Sequence, residues 1–79
     1  MMKKRIYAED AAQEDYLLFV VIKLIGDQVD CAERTPDGWE MTPDWSSLST
    51  MTRLKLNQLG CTWDEIAGKL RLKRLWPNS

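Results

Sequence analysis

The first apolar run of the chain predicts a helix in its N-terminal third. Residues 8–25 begin with alanine and acidic residues and continue into the apolar stretch Tyr16 to Ile22. Acids in a first turn, and Gly26 directly after the run, are typical of a helix that ends in a left-handed cap. We therefore predict a helix over 8–25, although a buried strand over 16–25 would favour the same β-branched residues. A helix that is apolar on all sides is buried on more than one face, which predicts a homodimer through residues 16–25.

The next pattern, Thr35-Pro36-Asp37-Gly38, is a turn signal between two short segments that alternate weakly. Proline presets φ at the first central position of a turn, and aspartate favours the second. We expect Gly38 to take the left-handed conformation that closes the turn. The pattern predicts a β-hairpin over 28–42, with Trp39 packed on the core. The basic segment 1–7 is expected to be loose or to form a single edge strand.

A helix is then predicted that starts after one of three possible N-caps and runs to about Leu59, because Gly60 ends it. The N-cap candidates are Asp44, Ser47 and Ser49. The apolar residues expected on or beside its buried face are Leu48, Met51, Leu56 and Leu59.

A second C-terminal helix is predicted from Thr62, because Thr62 and Glu65 have the spacing of a capping box. The apolar residues Trp63, Ile66, Ala67 and Leu70 follow at helical spacing on one face. Beyond Leu70 the pattern changes. The helix ends near Arg71, kinks, or gives way to an extended pairing segment that the alternation of residues 70–73 also allows.

Together these elements predict one α+β domain of 79 residues. It consists of an N-terminal helix, a hairpin, and a helix-turn-helix-like region over 45–76.

Two tryptophans, Trp45 and Trp63, stand at the start of the two helical units, and Trp63 opens the string W-D-E-I-A-G-K-L. Residues 45–70 thereby resemble Myb/SANT and, more broadly, homeodomain-like helix-turn-helix modules. In those modules a tryptophan begins one helix and W-x-x-I-A-x-x-L forms the next. The resemblance implies DNA binding, which the family performs with a third helix in the major groove. Here only residues 71–79 follow, fewer than a full recognition helix needs.

Charge divides the chain into an acidic and a basic part. Residues 8–45 contain ten acids and two bases, a net charge of -8, whereas residues 46–79 contain six bases and two acids, a net charge of +4. Such asymmetry bears on partners rather than on fold, although the two parts would also neutralise each other by packing together. The candidate nucleic-acid contacts are Arg53, Lys55, Lys69, Arg71, Lys73, Arg74 and, for base stacking, Trp76. The candidate contacts to a basic protein partner are Glu14, Asp15, Asp27, Asp30, Glu33 and Asp37.

Composition argues against catalysis and against a metal site. The chain has no histidine and only two cysteines, Cys31 and Cys61, which are too few for a zinc site built from thiolate and imidazole. It also lacks a glycine-rich phosphate loop and a nucleophile elbow. We therefore expect no enzyme, no metal and no cofactor, and free thiols. The longest apolar run is far too short for a membrane helix, and the basic start lacks the apolar stretch of a secretory signal, so a cytoplasmic protein is expected.

Two functions fit these patterns. The first is a small bacterial or phage-type DNA-binding protein, a transcription regulator or accessory factor, whose basic residues contact phosphates. The second is a small protein-interaction module, such as a phage-encoded inhibitor or adaptor, that binds a basic partner through residues 8–45. The first predicts binding that weakens steeply with salt, and the second predicts capture of a protein after nuclease treatment.

Overall fold

The computed structural model describes residues 5–73, apart from the side chain of Asp27. Within that range, three helices and a five-stranded antiparallel sheet share one apolar core. The helices are α1 (Ala11–Glu14), α2 (Tyr16–Ile25) and α3 (Thr50–Gln58). The strands are β1 (Arg5–Tyr7), β2 (Cys31–Arg34), β3 (Gly38–Met41), β4 (Cys61–Asp64) and β5 (Lys69–Lys73). Short 3-10 turns occupy Ala8–Asp10, Gly26–Gln28 and Trp45–Ser47. The predicted α+β class is confirmed, with a larger sheet than the single hairpin expected.

Two hairpins meet in the sheet, whose strand order is β1-β2-β3-β5-β4. The β2–β3 and β4–β5 hairpins join where β3 pairs with β5. The register places one row of residues side by side across all five strands: Arg5, Glu33, Glu40, Arg71 and Thr62. Because successive residues of a strand point to opposite faces, this row and the core residues occupy different faces. We call the face that carries the row the outer face.

The core lies between the other face of the sheet and the helices. Its largest fully buried side chains are Trp39, Leu18, Leu56, Leu70, Leu72 and Val21. Three of these belong to β3 and β5, which are the inner strands that pair with each other, and the rest come from α2 and α3. The predicted packing of Trp39 on the core is confirmed.

Asp15 divides the predicted N-terminal helix in two. Its backbone is extended, with φ -167° and ψ 126°, and its carboxylate accepts a 2.8 Å hydrogen bond from the amide of Leu17. That bond makes Asp15 the N-cap of α2. Residues 16–25 are helical as predicted, so the strand alternative is wrong. Gly26 follows α2 with φ 82°, a positive value that glycine adopts readily, but its ψ of -141° is not that of the left-handed cap that was predicted.

The hairpin predicted over 28–42 is present, with one correction. Thr35 and Gly38 exchange backbone hydrogen bonds of 2.8 and 3.3 Å, which leaves Pro36 and Asp37 as the two central residues of the turn. Gly38 is already the first residue of β3 and does not have a positive φ. The left-handed conformation expected of it is therefore wrong, because the fourth residue of such a turn is extended. The N-terminal edge strand is also present, as β1.

Helix α3 begins at Thr50, directly after one of the three predicted N-cap candidates. Ser49 is its N-cap, since the Ser49 hydroxyl accepts a hydrogen bond from the amide of Thr52 at 3.2 Å. Residues 45–47 form a separate 3-10 turn, in which the Asp44 carboxylate accepts bonds from two serine hydroxyls. Met51, expected on the buried face, is exposed. Gly60 follows the helix with φ 99°, as expected of a helix stop.

The second C-terminal helix, predicted over 62–70, is wrong, because this segment is the β4–β5 hairpin. Leu70 and Leu72 are both buried and the residues between and beside them are not. A strand places two residues of that spacing on one face, whereas a helix would separate them. Pairing with β3 also satisfies backbone groups that would otherwise stand at an open sheet edge. Tertiary pairing therefore overrides the local helical spacing, and the extended alternative for residues 70–73 is the correct one.

The residues that carry the Myb/SANT resemblance consequently do not form a helix-turn-helix pair. Trp45 begins a 3-10 turn and Trp63 lies in β4. Trp63 and Leu70, expected one above the other on a helix, are instead cross-strand neighbours. Among residues 5–73 no helix is both long and apolar enough to cross a membrane.

Candidate interaction surfaces

The outer face of the sheet carries alternating charges that form an ion-pair network. Glu40, which is only 6% exposed, lies at its centre. The Lys69 ammonium lies 3.1 Å from one Glu40 oxygen, and the Arg71 Nε lies 3.6 Å from the other. Arg71 also donates to the carboxylate of Asp64. Two of the cations predicted to contact phosphates are thus paired with carboxylates of the same sheet.

Asp64 is the second centre of this network. Its pKa is lowered first by the hydrogen bond from the Ala67 amide and then by the guanidinium of Arg71. The same hydrogen bond between the two side chains raises the pKa of Arg71. Both groups therefore stay charged over the ordinary pH range, and the pair links the β4 edge of the sheet to β5.

Arg53 belongs to a stack rather than to a basic ridge. The rings of Trp45 and Trp63 are parallel within 6°, with centroids 5.0 Å apart. The guanidinium carbon of Arg53 lies 6.0 Å from the Trp45 ring centroid, and its Nε donates to the backbone oxygen of Leu48 at 3.1 Å. Both tryptophans, expected in the core, are partly buried and pack against it. The stack fastens the 3-10 turn and α3 to the edge strand β4.

The remaining predicted cations lie in different places. Lys55 is exposed on α3 and Lys73 is exposed at the end of β5. Within residues 5–73 the structure shows no ion pair for either of them. Arg74 and Trp76 lie outside the described residues. Among the described residues, Lys73 therefore shares the outer face of β5 with Lys69 and Arg71, which are paired with carboxylates, whereas Arg53 and Lys55 lie apart on α3.

Several of the predicted acidic contacts have structural roles. Glu14 forms an ion pair with Arg34, and Asp15 caps α2. Glu33 is half-buried on the outer face, between Arg5 and Glu40 in the register. Asp30 and Asp37 are exposed, while the side chain of Asp27 lies outside the described part. Of the members whose side chains the structure describes, Asp30 and Asp37 are the exposed ones, and they stand at opposite ends of the β2–β3 hairpin.

Residues 65–67 form a protruding turn between β4 and β5, which we call the hairpin tip. Ile66 at its centre is 99% exposed. One Asp64 oxygen accepts bonds from the Ile66 and Ala67 amides at 3.1 and 3.0 Å. The Gly68 amide donates to the Asp64 backbone oxygen at 2.8 Å, with Gly68 at φ 66°. The tip is thus a hydrogen-bonded turn that presents an isoleucine to solvent.

A depression of about 500 Å³ lies beside α2. Its lining consists of Ala8, Glu9, Phe19, Ile22, Lys23 and Gly26. The Lys23 ammonium lies 5.6 Å from the centroid of the Phe19 ring, and Tyr16 contacts the same ring at a centroid distance of 6.0 Å. We call this surface the α2 depression. Its lining combines apolar side chains with one cation and one acid.

Sequence reasoning missed the tip and the depression. It assigned Ile66 to a buried helix face, although an aspartate followed four residues later by Gly68 is also a turn signal. Nothing in the sequence places Ala8 and Glu9 beside α2, because that proximity arises only when residues 8–14 fold back against the helix.

The two cysteines are free, as predicted. Cys61 is buried and its pKa is raised to about 11 by burial, whereas Cys31 is half-buried on the outer face. No cluster of three or more metal-ligating side chains occurs among the described residues.

Comparison of the chain with protein-family models, with curated proteins and with solved structures found no match.

Proposed function

We propose that the chain is a small protein-interaction module that binds a protein partner. The observation that carries the proposal is that large apolar side chains of the helices α2 and α3 are exposed to solvent. Tyr16 is 72%, Met51 68% and Leu54 52% exposed. Contiguous exposed apolar side chains mark sites of protein contact, whereas single ones are normal on a protein surface.

The exposed face of α3 is the proposed contact. Met51 and Leu54 are three residues apart, so they lie side by side on that face. Methionine adapts its shape readily to a partner surface, and the Ser49 cap holds the helix in place. Exposed acids in the 8–45 region, including Asp30 and Asp37, would favour a partner with a basic surface through long-range attraction.

The charges of the outer face support a protein partner over a phosphate backbone. Lys69 and Arg71 would have to leave Glu40 and Asp64 before they could neutralise phosphates. Each such exchange replaces an existing ion pair, so it adds little affinity. A surface whose cations are free would release counterions on binding, which is the main source of affinity for nucleic acid.

The test is capture from cell extract by the full-length tagged chain, with and without nuclease treatment, followed by identification of the retained protein and measurement of its affinity in purified form. We expect one protein to be retained after nuclease treatment. Met51→Glu and Leu54→Glu should each weaken its binding by about tenfold or more, as truncation of an interface anchor does. The matched control is Gln13→Glu, which adds the same charge at an exposed position of α1. Equal binding by all variants would contradict the α3 contact, and failure to retain any protein would contradict the proposal.

Phosphate binding is the competing proposal, and the exposure of Lys55 and Lys73 is the observation in its favour. It predicts measurable affinity for duplex DNA at low salt, a steep loss of affinity with added salt, and weaker binding by Lys73→Glu. Lys73 is a better test position than Arg71, because Arg71 also holds the sheet together. If the wild type and Lys73→Glu bind duplex DNA with equal affinity, the phosphate-binding proposal is wrong.

A further inference from the structure

The hairpin tip presents an apolar side chain in a fixed position. The Asp64 carboxylate accepts hydrogen bonds from the amides of Ile66 and Ala67, and Gly68 has the positive φ that the turn requires. A side chain on a preorganised turn loses little conformational freedom when it binds. Ile66, at 99% exposure, makes no contact that explains its presence within the domain. Its neighbour Glu65 is also exposed, so the tip combines one apolar group with one free carboxylate.

The α2 depression has the complementary properties. Phe19 and Ile22 contribute apolar side chains to its lining, and Lys23 contributes a cation. Its volume of about 500 Å³ is several times that of a single aliphatic side chain. The Lys23 ammonium lies 5.6 Å from the centroid of the Phe19 ring, so the cation and the apolar lining are adjacent. Glu9 lies elsewhere in the lining and would repel a carboxylate, which favours one orientation of an entering acidic turn.

We propose that the chain associates with a second copy of itself by inserting Ile66 of one copy into the α2 depression of the other. Ile66 would cover Phe19 and Ile22, and Glu65 would pair with Lys23. Reciprocal insertion gives a closed two-fold dimer, in which each copy contributes one tip and one depression. The contact between the two copies then consists of the α2 depression and the hairpin tip. It does not involve the α3 face that is proposed to bind a protein partner.

The first measurement is sedimentation equilibrium of the full-length chain from low micromolar to millimolar concentration. We expect concentration-dependent dimers. Ile66→Ser should weaken the dimer by about tenfold or more, because burying an isoleucine supplies at least that factor. Leu54→Ser is the matched control, since it removes a similar apolar surface from α3 and should leave the dimer unchanged. Both positions are exposed, and circular dichroism with urea unfolding confirms that the variants fold.

The second measurement exchanges the charges. Lys23→Glu and Glu65→Lys should each weaken the dimer, and the double variant should regain most of the wild-type affinity, because the ion pair is restored with reversed polarity. Glu9→Lys should strengthen the dimer, since it removes the repulsion of Glu65. A chain that stays monomeric at millimolar concentration would overturn the proposal. So would a dimer that Ile66→Ser leaves unchanged, or a double variant no stronger than its weaker parent.

Discussion

Replacement of Gly68 by alanine tests whether residues 62–70 are a hairpin or a helix, because the two structures predict opposite signs. In the hairpin, Gly68 has φ 66°, and a Cβ built there meets no atom within 4 Å. The substitution therefore introduces no clash. Its effect is conformational alone.

The magnitude follows from two opposing terms. An L-residue in the left-handed region is destabilised by about 1–2 kcal/mol. Alanine also restricts the unfolded chain, which returns about 0.4–1 kcal/mol. The net loss of unfolding free energy is about 1 kcal/mol. In a helix, the same change would raise stability by about 1 kcal/mol, because glycine is that much poorer than alanine in a helix interior.

Urea unfolding of Gly68→Ala, followed by tryptophan fluorescence, measures this difference. A loss of about 1 kcal/mol lowers Tm by about 4–8 °C in a domain of this size. Asn57→Ala, at an exposed position of α3, is the control and should be stabilising by a few tenths of a kcal/mol. A second control is D-alanine at position 68 in a synthetic chain. It favours positive φ and should be more stable than the wild type. A Gly68→Ala variant more stable than the wild type would refute the hairpin.

Three further predictions concern the core and the ionisable groups. Leu56→Ala should lower the unfolding free energy by about 2–5 kcal/mol, because Leu56 is wholly buried; a loss below about 1 kcal/mol in urea unfolding would contradict its place in the core. The lowered pKa of Asp64 means that its stabilisation is complete above the ordinary carboxyl value and is lost as pH falls through the folded pKa. Asp64→Asn should therefore lower Tm at neutral pH and flatten the acid side of the Tm profile, whereas an unchanged acid side would exclude this role. The raised pKa of Cys61 means that the folded thiol stays neutral while the unfolded thiol ionises, so stability should decline as pH rises from 9.0 toward about 11. A thiol reagent at mildly alkaline pH should modify Cys31 first, and faster modification of Cys61 would contradict its burial.

Local signals in the sequence predicted the structure correctly at positions where one residue type has a single dominant conformational role. Gly26 and Gly60 ended helices, and Pro36 with Asp37 formed a two-residue turn. The helix over 16–25 was also predictable, because acids precede it and a glycine follows it. Asp15 ends the first helix because its short carboxylate accepts a hydrogen bond from a backbone amide. The sequence did not single it out, because it is one of four acids in residues 8–15.

The helical spacing of Trp63, Ile66 and Leu70 shows where local reasoning fails. The same residues fit a hairpin whose strands pair Trp63 with Leu70 and whose tip exposes Ile66. Local spacing does not distinguish the two, because the decisive contribution is the pairing of β5, which begins at Lys69, with β3, which begins at Gly38. The free energy of that pairing includes the burial of Leu72, which a helix would leave on its far side.

The sequence by itself therefore determined the helix over 16–25, the helix stops at Gly26 and Gly60, and the first hairpin, since these depend on neighbouring residues. Only the tertiary structure decided which cations are free. Glu40 lies in β3 and Asp64 in β4, and the sheet brings both carboxylates against Arg71, so two cations of a basic stretch, Lys69 and Arg71, are paired. The tertiary structure likewise turned Ile66 outward and placed Ala8 and Glu9 beside α2. Contacts between distant segments set these positions, and no local pattern records them.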